Sequence, residues 1–399
     1  MISYETSQNM INLLSMGSTR SERLFISNAL GRVLAEDIVA LEDYPTHPTS
    51  AMDGYAVIHA DVADSKALAI LGDNPAGADE IGTVENGMCI KTFTGSLMPQ
   101  GSDTLIPIEN VSVREGQILI EKPVPLGFAV RPVGESYRQG EVLISCGTTI
   151  GFAEIGVLAG INRVMISVAQ RPRVSIIATG SEILDIGETQ RHAGQIRSSN
   201  SYTLEALVNQ LGGEPFGMGI IGDDKNAIME RFEEALRSSD IVVSTGGVSV
   251  GDYDFVKHIV PKLGAEVIFK GVNIKPGQHV MVAQRGSKFI VSLPGFAYSS
   301  TVTFILYVAP LISRMLGNIN PYEPIEATLK VPFAKRSNKS EFTACNLTFL
   351  DGRYWVDFED KKTGSSAILT NLLGNATLMI CGEDDGDLDT GTQVRVIKL

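Results

Sequence analysis

The sequence predicts a multidomain α/β protein whose largest part is a doubly wound, mostly parallel sheet, and three patterns support this. Strands and helices alternate between residues 171 and 318, as they do in βαβ units. Short β-rich runs separated by Gly, Pro, Asn and Asp fill residues 36–145. Residues 319–399 lack helical periodicity and contain several strand-like runs. We therefore expect an α/β domain with an all-β insertion, a small linking domain and a C-terminal β domain or barrel.

The expected domains are discontinuous, because the β-rich region interrupts the chain. The expected boundaries are residues 1–20 and 171–318 for the α/β domain, 21–40 and 139–170 for the linking domain, 41–138 for the β insertion, and 319–399 for the C-terminal β domain.

Apolar periodicity assigns the elements. The run 173–178 is short and nearly continuous, as expected for a strand buried on both faces. Residues 204, 207, 208 and 211 form one face of a helix, and Gly212 fits its stop. The expected strands are 68–71, 104–108, 118–120, 163–168, 173–178, 241–244, 266–269, 289–292, 327–331, 353–357, 376–380 and 393–397. The expected helices are 6–14, 152–159, 201–211, one capped by Asp223 or Asp224, 255–263 and 299–316.

Charge and composition exclude several classes of protein. The net charge is −13 and no stretch is rich in Lys and Arg, which disfavours a nucleic-acid-binding protein. The N-terminus does not have the pattern of a signal peptide, and the apolar stretch 302–316 contains Pro310 and Arg314, which favours a buried helix over a membrane span. The four cysteines are far apart, as expected for free thiols. We expect a cytoplasmic protein without nucleic-acid or membrane partners.

Glycine-containing loops follow three predicted strands, at residues 179–182, 245–251 and 293–295. Ligands bind beyond the carboxyl ends of the strands in an open α/β sheet, where glycines let backbone N–H groups approach a phosphate. Tight turns are the alternative for each loop alone, but three such loops together favour an anion site. The absence of Walker A and GxGxxG patterns disfavours NTPases and NAD enzymes. The candidate ligand-binding residues in these loops are Thr179, Gly180, Thr245, Gly246, Gly247, Ser249, Pro294 and Gly295.

Carboxylates border the same loops, which indicates that a divalent cation accompanies the phosphate. They are Glu182, Asp223, Asp224, Asp252 and Asp254. Helix capping is a strong alternative for Asp223, Asp224 and Asp254, whereas the Gly-Ser-Glu turn favours a functional role for Glu182. Lys275, in a Lys-Pro-Gly turn, suits a phosphate or oxyanion, with an exposed turn lysine as the alternative.

The run TSAMDGYA at residues 49–56 places small residues around one aspartate, Asp53. Composition alone favours an Asx turn here, with Gly54 at a positive φ.

In their order along the chain, these motifs resemble one family over nearly the whole sequence. They are TSAMDGYA at 49–56, FTGSLMPQGSDTLIPIEN at 93–110, TGSE at 179–182, TGGVSVGDYD at 245–254, IKPG at 274–277 and LPG at 293–295. The chain resembles the molybdopterin molybdenumtransferases, the family of MoeA and of the E domain of gephyrin. The run SAMDGYA is highly specific, and together with TGGVSVG it makes a chance match improbable.

The resemblance implies an elongated homodimer with a molybdopterin-binding α/β domain. It also implies a reaction in which molybdate is inserted into the dithiolene of adenylylated molybdopterin. The pyrophosphate bond is cleaved with Mg²⁺ or another divalent cation, and molybdenum cofactor and AMP are released. Adenylylated molybdopterin, molybdate and other proteins of molybdenum-cofactor biosynthesis are the implied partners.

The resemblance also implies roles for particular residues. Asp53, Glu182 and Asp254 are expected to be catalytic, with Asp53 acting across the dimer cleft and with Asp53 and Glu182 as metal ligands. The substrate-binding positions implied by the resemblance are Thr94, Asp224, Lys275, Pro294 and Gly295.

The chain departs from the family pattern at four places. Ser136 stands where the family usually has Asp, and Ser181 also replaces Asp. Phe296-Ala297-Tyr298-Ser299 replaces Asn-Pro-Val-Ser after the Leu-Pro-Gly motif, and Thr343-Ala344-Cys345 lacks an expected arginine. Ligand binding is expected to survive these changes better than catalysis.

Three functions therefore compete. The first is the molybdenum-inserting transferase, which Asp53 and Glu182 favour. The second is a paralogue that binds the pterin or a protein partner as a scaffold, which Ser136 and Phe296 favour. The third is a hydrolase of another nucleotide pyrophosphate.

Overall fold

The structure is a computed structural model that describes residues 1–17, 20–62, 67–80, 82–248, 255–362 and 365–399. The chain divides into two compact units. The first comprises Met1–Ala35, Gly147–Ile155 and Arg163–Leu399, and the second comprises Glu36–Cys146 and Gly156–Asn162. The finer division into four domains stays a prediction.

The helices are numbered in chain order. They are α1 (Tyr4–Leu13), α2 (His59–Val62), α3 (Phe152–Gly160), α4 (Asn200–Gln210), α5 (Lys225–Ser238), α6 (Val256–Lys262), α7 (Ala297–Tyr307) and α8 (Ala309–Leu316), with short 3-10 turns at Ile26–Asn28, Ile108–Asn110 and Leu369–Leu372.

The strands are numbered in the same way. They are β1 (Ser21–Phe25), β2 (Ile38–Val39), β3 (Thr49–Ser50), β4 (Gly54–Val57), β5 (Leu68–Asn74), β6 (Met88–Thr92), β7 (Thr104–Pro107), β8 (Val111–Arg114), β9 (Gln117–Ile120), β10 (Val130–Arg131), β11 (Val142–Ile144), β12 (Met165–Ala169), β13 (Arg173–Thr179), β14 (Ile183–Leu184), β15 (Ile196–Arg197), β16 (Glu214–Ile221), β17 (Ile241–Thr245), β18 (Glu266–Lys270), β19 (Ile274–Lys275), β20 (Met281–Arg285), β21 (Lys288–Leu293), β22 (Ile325–Leu329), β23 (Ser340–Leu350), β24 (Arg353–Asp357), β25 (Ala376–Cys381) and β26 (Gln393–Lys398).

The central sheet of the first unit has the strand order β16-β13-β17-β21-β20-β18. The strands β16, β13, β17 and β21 are parallel, and β20 and β18 are antiparallel. Alternate residues of β13 enter different cores: Val174 and Ile176 pack with α4, α7 and α8, whereas Ile177 packs with α5 and α6. Helices therefore cover both faces, and the predicted doubly wound fold is confirmed.

Two strands of this sheet were not predicted. The edge strand β16 contains Pro215, Gly217 and Gly219, residues that weaken a strand pattern. The strand β20 forms a hairpin with β21 through Gly286, which has a φ of +61°. This hairpin makes the sheet mixed beyond its four parallel strands.

The predicted helix 299–316 consists of two consecutive helices, α7 and α8, that meet near Val308 and Pro310. Proline has no N–H to donate to the carbonyl four residues earlier, which ends α7. That carbonyl, Leu306 O, instead accepts the Nε2 amide of Gln8 from α1 at 3.2 Å. By length and composition Ala297–Leu316 could cross a membrane, but 89% of its apolar 18-residue stretch is buried in the protein. This agrees with the core helix that the sequence predicted.

The C-terminal region forms a closed barrel, as the sequence allowed. The strand order is β23-β24-β22-β26-β25, and β25 pairs with β23 to close the ring. The long strand β23 was not predicted. The barrel interior contains Leu329, Val356 and Met379. Outward-facing residues such as Phe342 and Leu378 join the core formed by α1, α7 and α8, so the barrel packs directly on the α/β domain.

The second unit contains the predicted β-rich insertion. Its main sheet has the order β7-β4-β6-β5-β9-β8, and β2 and β3 pair with β11 and β10 in small additional sheets. Tyr55, Leu68, Cys89, Ile106 and Ile118 form its apolar core.

We expect Phe232→Ala to destabilise the protein by about 3–5 kcal/mol, because the ring is fully buried between α5 and the sheet and its removal leaves a cavity. Glu233→Ala, on the exposed side of the same helix, should change the free energy of unfolding by less than about 0.5 kcal/mol. Urea denaturation measures both. Equal effects would show that α5 does not pack as described.

Candidate functional site

A cavity of about 1220 Å³ lies at the carboxyl ends of β13, β17 and β21, within the first unit. The loops after these strands form one wall. The opposite wall comes from β19 and from the barrel segments around β23, residues 358–362 and residues 365–371. The predicted residues that line the cavity are Thr179, Gly180, Glu182, Thr245, Gly246, Gly247, Lys275, Pro294 and Gly295. The structure therefore brings the three predicted loops together at one site.

Gly180 and Gly246, in the first two loops, act by leaving space and not by offering their N–H groups. The N–H of Gly180 donates to Ile221 O at 3.0 Å, and the N–H of Gly246 donates to Leu293 O at 3.1 Å. A Cβ on Gly180 would meet the Glu182 carboxylate at 2.6 Å, and a Cβ on Gly246 would meet Thr179 O at 2.8 Å. Both glycines also have positive φ, so substitution would move Glu182 or the loop backbone.

Two uncapped helix N-termini supply backbone N–H groups instead. The helix α4 begins beside Ser198, Ser199 and Asn200, which line the cavity, and no side chain caps it. The helix α7 begins after Phe296 and also has no side-chain cap, although the N–H of Ser299 in its first turn already donates to Ser366 O at 3.2 Å. Free N–H groups and the helix dipole favour an anion at such ends. The site can therefore hold a phosphate with N–H groups of helix N-termini, whereas the sequence predicted N–H groups of the glycine loops.

The Leu-Pro-Gly loop is held by α4. Asn200 Nδ2 donates to Gly295 O at 2.8 Å, and Ser300 Oγ donates to Asn200 Oδ1 at 3.1 Å. Of the two aromatic departures here, Phe296 is 63% exposed and lines the cavity. Tyr298 is buried and donates its hydroxyl to Phe342 O at 2.9 Å, so it attaches α7 to the barrel. Burial raises the pKa of Tyr298, which keeps it a neutral donor.

The two neighbouring aspartates at 223 and 224 have different surroundings. Asp223 lines the cavity and exchanges hydrogen bonds with Ser181: its Oδ2 accepts the Ser181 N–H at 3.2 Å, and its own N–H donates to Ser181 Oγ at 3.0 Å. Asp224 caps α5, accepting the N–H groups of Asn226 and Ala227 at 2.9 and 2.8 Å. Asp224 is not among the described lining residues, so capping accounts for its carboxylate.

Lys275 reaches the cavity from β19, which pairs in parallel with the first residues of β23. Its Nζ lies 3.3 Å from Glu341 Oε1, and the lysine side chain is 44% exposed while that of Glu341 is 5% exposed. These contacts favour a role at the cavity over a simple exposed turn lysine. Glu341 was not predicted as a site residue.

The charge of the cavity is opposite to that of the chain. Its described lining carries the cations Arg197, Lys275, Arg336, Lys339, Lys361 and Lys362, and the carboxylates Glu182, Asp223 and Glu341. Most of these cations come from the barrel, from the segments 335–339 and 361–362. Such a wall attracts anions despite a net charge of −13.

The candidate residues Ser249 and Asp254, and Asp252 beside them, lie outside the described residues. Within the described part of the chain, no group of three or more His, Cys, Asp or Glu side chains could hold a metal ion.

Asp53 and Thr94 belong to the second unit, where the fold brings them together. Asp53 Oδ1 accepts the Thr94 N–H at 2.8 Å and the Thr94 hydroxyl at 2.7 Å. The hydroxyl, the N–H and the charge of Lys91 lower the pKa of Asp53 below its ordinary value. The expected Asx turn with Gly54 at positive φ is wrong: Gly54 begins β4, and it is needed because a Cβ would lie 2.4 Å from Ile106 O.

Sequence reasoning missed Asn200, Glu341 and the barrel cations. Asn200 was part of a Ser-Ser-Asn run before a predicted helix, a pattern that signals a helix start and could have been noticed. Glu341 and the cations come from β23 and its neighbouring loops, and no local pattern there indicates a ligand.

Two family models cover most of the chain. Residues 2–161 match the MoeA N-terminal region (domain I and II), and residues 175–314 match the model described as "Probable molybdopterin binding domain".

Similar proteins agree with these matches. A molybdopterin molybdenumtransferase of Nostoc sp. is 34% identical over 384 residues, which cover 93% of this chain and 87% of that protein. A molybdopterin molybdenumtransferase of Staphylococcus aureus is 30% identical over 389 residues, with coverage of 96% and 92%. The crystal structure of the molybdopterin biosynthesis MoeA protein from Pyrococcus horikoshii OT3 is 28% identical, covers 100% of both chains and superposes with a TM-score of 0.85.

We expect Asp224→Ala to cost about 1 kcal/mol of stability, because it removes the N-cap of α5, and Asp224→Asn to cost only a few tenths. The Asn variant should also keep its ligand affinity, because the carboxylate already serves the helix. Thermal unfolding and ligand titration measure the two effects. Asp223→Asn, at the cavity, is the comparison; a loss of affinity in the Asp224→Asn variant would restore Asp224 as a ligand-binding residue.

We expect Thr94→Val to raise the pKa of Asp53 toward its ordinary value, because the hydroxyl donor is removed while the N–H remains. A lowered folded pKa stabilises the fold above the ordinary carboxyl pKa, and that contribution is lost as pH falls through the folded value. The variant should therefore show a smaller loss of stability on acidification. Carbon-detected NMR titration of the Asp53 carboxyl tests this, with Thr94→Ser, which keeps a hydroxyl, as the control.

Proposed function

The chain belongs to the molybdopterin molybdenumtransferase family, and from this membership we propose that it inserts molybdate into adenylylated molybdopterin during molybdenum cofactor biosynthesis. The pyrophosphate bond of the substrate is cleaved, and AMP and molybdenum cofactor are released. The protein works in the cytoplasm as a homodimer, with Asp53 acting from the partner chain.

The observation that carries the proposal is the two-sided cavity. One wall presents the uncapped ends of α4 and α7, which suit the phosphates of a nucleotide-linked substrate. The other wall presents Lys275, Arg336 and Lys339, which suit an oxyanion such as molybdate. A single ligand that carries both phosphates and a metal-accepting group would extend across the cavity.

The described residues have separate tasks in this proposal. Thr179 ties the first two loops together by donating its hydroxyl to Thr245 O at 3.1 Å. Asn200 holds the Leu-Pro-Gly loop, and Lys275 faces the oxyanion. Gly180 leaves the space that the Glu182 carboxylate occupies at the cavity. Catalysis then rests mainly on orientation and charge.

A divalent cation fits the residues present in a limited way. Mg²⁺ commonly keeps several waters and takes one or two protein carboxylates together with substrate phosphates. The exposed Glu182 meets that requirement at this cavity, and Asp53 would be the second ligand. When bound, the cation would neutralise charge on the phosphates. Asp254 completes the proposed catalytic set.

The experiment supplies purified protein with adenylylated molybdopterin, molybdate and Mg²⁺, and measures AMP and active cofactor. We expect AMP release that depends on molybdate, and a loss of both products in Glu182→Gln. Binding of the pterin without either product would favour the scaffold. Molybdate-independent AMP release from other nucleotide pyrophosphates would favour the hydrolase.

We expect insertion to be slower than in relatives with Asn-Pro after Leu-Pro-Gly, because Phe296 offers no donor at the cavity. One lost preorganised donor costs up to about 10²–10³ in rate. Phe296→Asn with Ala297→Pro should raise both turnover and stability. Phe296 is the N-cap residue of α7 and Ala297 the first helical residue, positions where Asn and Pro are favoured.

Phe296→Ala is the control, since it removes the ring without adding a donor. An equal gain in this variant would attribute the slow turnover to the bulk of the ring. No gain in a stable double variant would show that the loop does not limit turnover.

A further inference from the structure

We infer that Glu341 is a positioning residue for Lys275, and that its buried negative charge limits how tightly the cavity binds an oxyanion. The inference rests on the proposed function, because it concerns how the same cavity holds its oxyanion substrate.

The strand pairing places the two residues side by side. The strands β19 and β23 are parallel, with Ile274 opposite Ser340 and Lys275 opposite Glu341. This short ladder joins β19 of the α/β domain to the N-terminal end of β23 in the barrel. The strand pairing therefore fixes the backbone positions from which both side chains extend. A shift of the barrel would move Glu341 away from Lys275.

The carboxylate of Glu341 is buried and well supported. Its Oε1 accepts the Ser337 hydroxyl at 2.7 Å, the Arg336 N–H at 3.1 Å and the Lys275 ammonium at 3.3 Å. A buried carboxylate is stable only with such partners. Two of the three donors come from the segment that also presents the Arg336 side chain to the cavity. Glu341 thus organises part of the cationic wall as well as Lys275.

Lys275 is held on one side and open on the other. Its ammonium has three donors, and its side chain remains 44% exposed after the contact with Glu341. A lysine has a flexible four-carbon stem, so without Glu341 the ammonium would sample several positions. Glu341 therefore determines where the remaining donors meet an oxyanion, which matters for rate because reacting groups must be aligned.

The same carboxylate weakens the attraction of the cavity for anions. It lies next to Lys275, on the wall that also carries Arg336 and Lys339. Coulomb repulsion over a few ångström acts on every oxyanion there, whatever its chemistry. Removing this charge should tighten binding while loosening the geometry, so affinity and turnover should change in opposite directions.

The test compares wild type, Glu341→Gln, Glu341→Asp and Lys275→Gln. Calorimetry measures binding of molybdate and sulfate, and the insertion assay gives kcat and the KM for molybdate. Glu341→Gln should bind both oxyanions about 3- to 10-fold more tightly and show a lower KM, with kcat reduced about tenfold or more. Glu341→Asp keeps the negative charge on a side chain that is one methylene shorter. The affinity of this variant for oxyanions should stay near wild type, while kcat falls.

A double-variant cycle separates action through Lys275 from a general effect. In a Lys275→Gln background, Glu341→Gln should cause no further fall in kcat, because the group it positions is gone. Lys330→Met removes a lysine that lies 3.9 Å from Asp357 on the same barrel and is not a lining residue, so it should leave kcat and affinity unchanged.

Parallel losses of affinity and kcat in Glu341→Gln, with a lower melting temperature, would overturn the inference and leave Glu341 a structural residue. If that variant does not fold, Ser337→Ala replaces it: it keeps the carboxylate charge but removes the 2.7 Å hydrogen bond that holds it, so oxyanion affinity should stay near wild type while kcat falls by a smaller factor. An unchanged kcat in a folded Ser337→Ala variant would also overturn the inference. If the wild-type protein binds molybdate and releases AMP, and the Glu341 variants have the same affinity and kcat, only the role of Glu341 is rejected. Wild-type protein that does neither would reject the proposed function as well.

Discussion

The burial of β13, β17 and β21 on both faces is the constraint on which the rest of the structure depends. Alternate side chains of these strands enter two separate apolar cores, one with α4, α7 and α8 and the other with α5 and α6. A polar side chain on either face of the sheet would be buried away from water, which costs free energy. Polar groups that bind a ligand are therefore confined to the ends of the strands. The parallel direction of the strands gathers their following loops at a single edge.

That edge provides only half of a site. The second wall comes from the barrel, which packs on α1 and α7 through Phe342 and Tyr298. The ladder between β19 and β23 then brings the Lys275 turn against the N-terminal end of β23. The barrel contributes most of the cations of the cavity, so its docking determines the electrostatic character of the site. A loss of these contacts would change the site without changing any residue of the sheet.

The departures from the family pattern differ in how much they alter the site. Ser181 exchanges two hydrogen bonds with Asp223 and therefore stabilises the junction of two loops. Tyr298 is buried at the contact between α7 and the barrel, where its hydroxyl donates to Phe342 O. Phe296 remains exposed at the cavity and leaves α7 without a cap, so it is the departure that most directly alters the site. Barrel cations such as Arg336 and Lys339 supply positive charge near the segment that lacks the expected arginine.

Local periodicity in the sequence was enough to predict the elements whose apolar residues are regularly spaced. The strands β13, β17 and β21 and the helix α5 follow from apolar spacing, and the three loops follow from glycine at the strand ends. It could not distinguish Asp224 as a cap from Asp223 at the cavity, because adjacent aspartates look alike until the helix start is placed. Nor could it show that the N–H groups of Gly180 and Gly246 are already bonded.

The contacts between residues distant in sequence became known from the three-dimensional fold. Asp53 meets Thr94 through the pairing of β4 with β6, and Lys275 meets Glu341 through the pairing of β19 with β23. Such pairs leave no local pattern, because each residue is ordinary in its own segment. Local periodicity reports which face of an element is buried, whereas the position of a charge in a cavity depends on how whole domains pack.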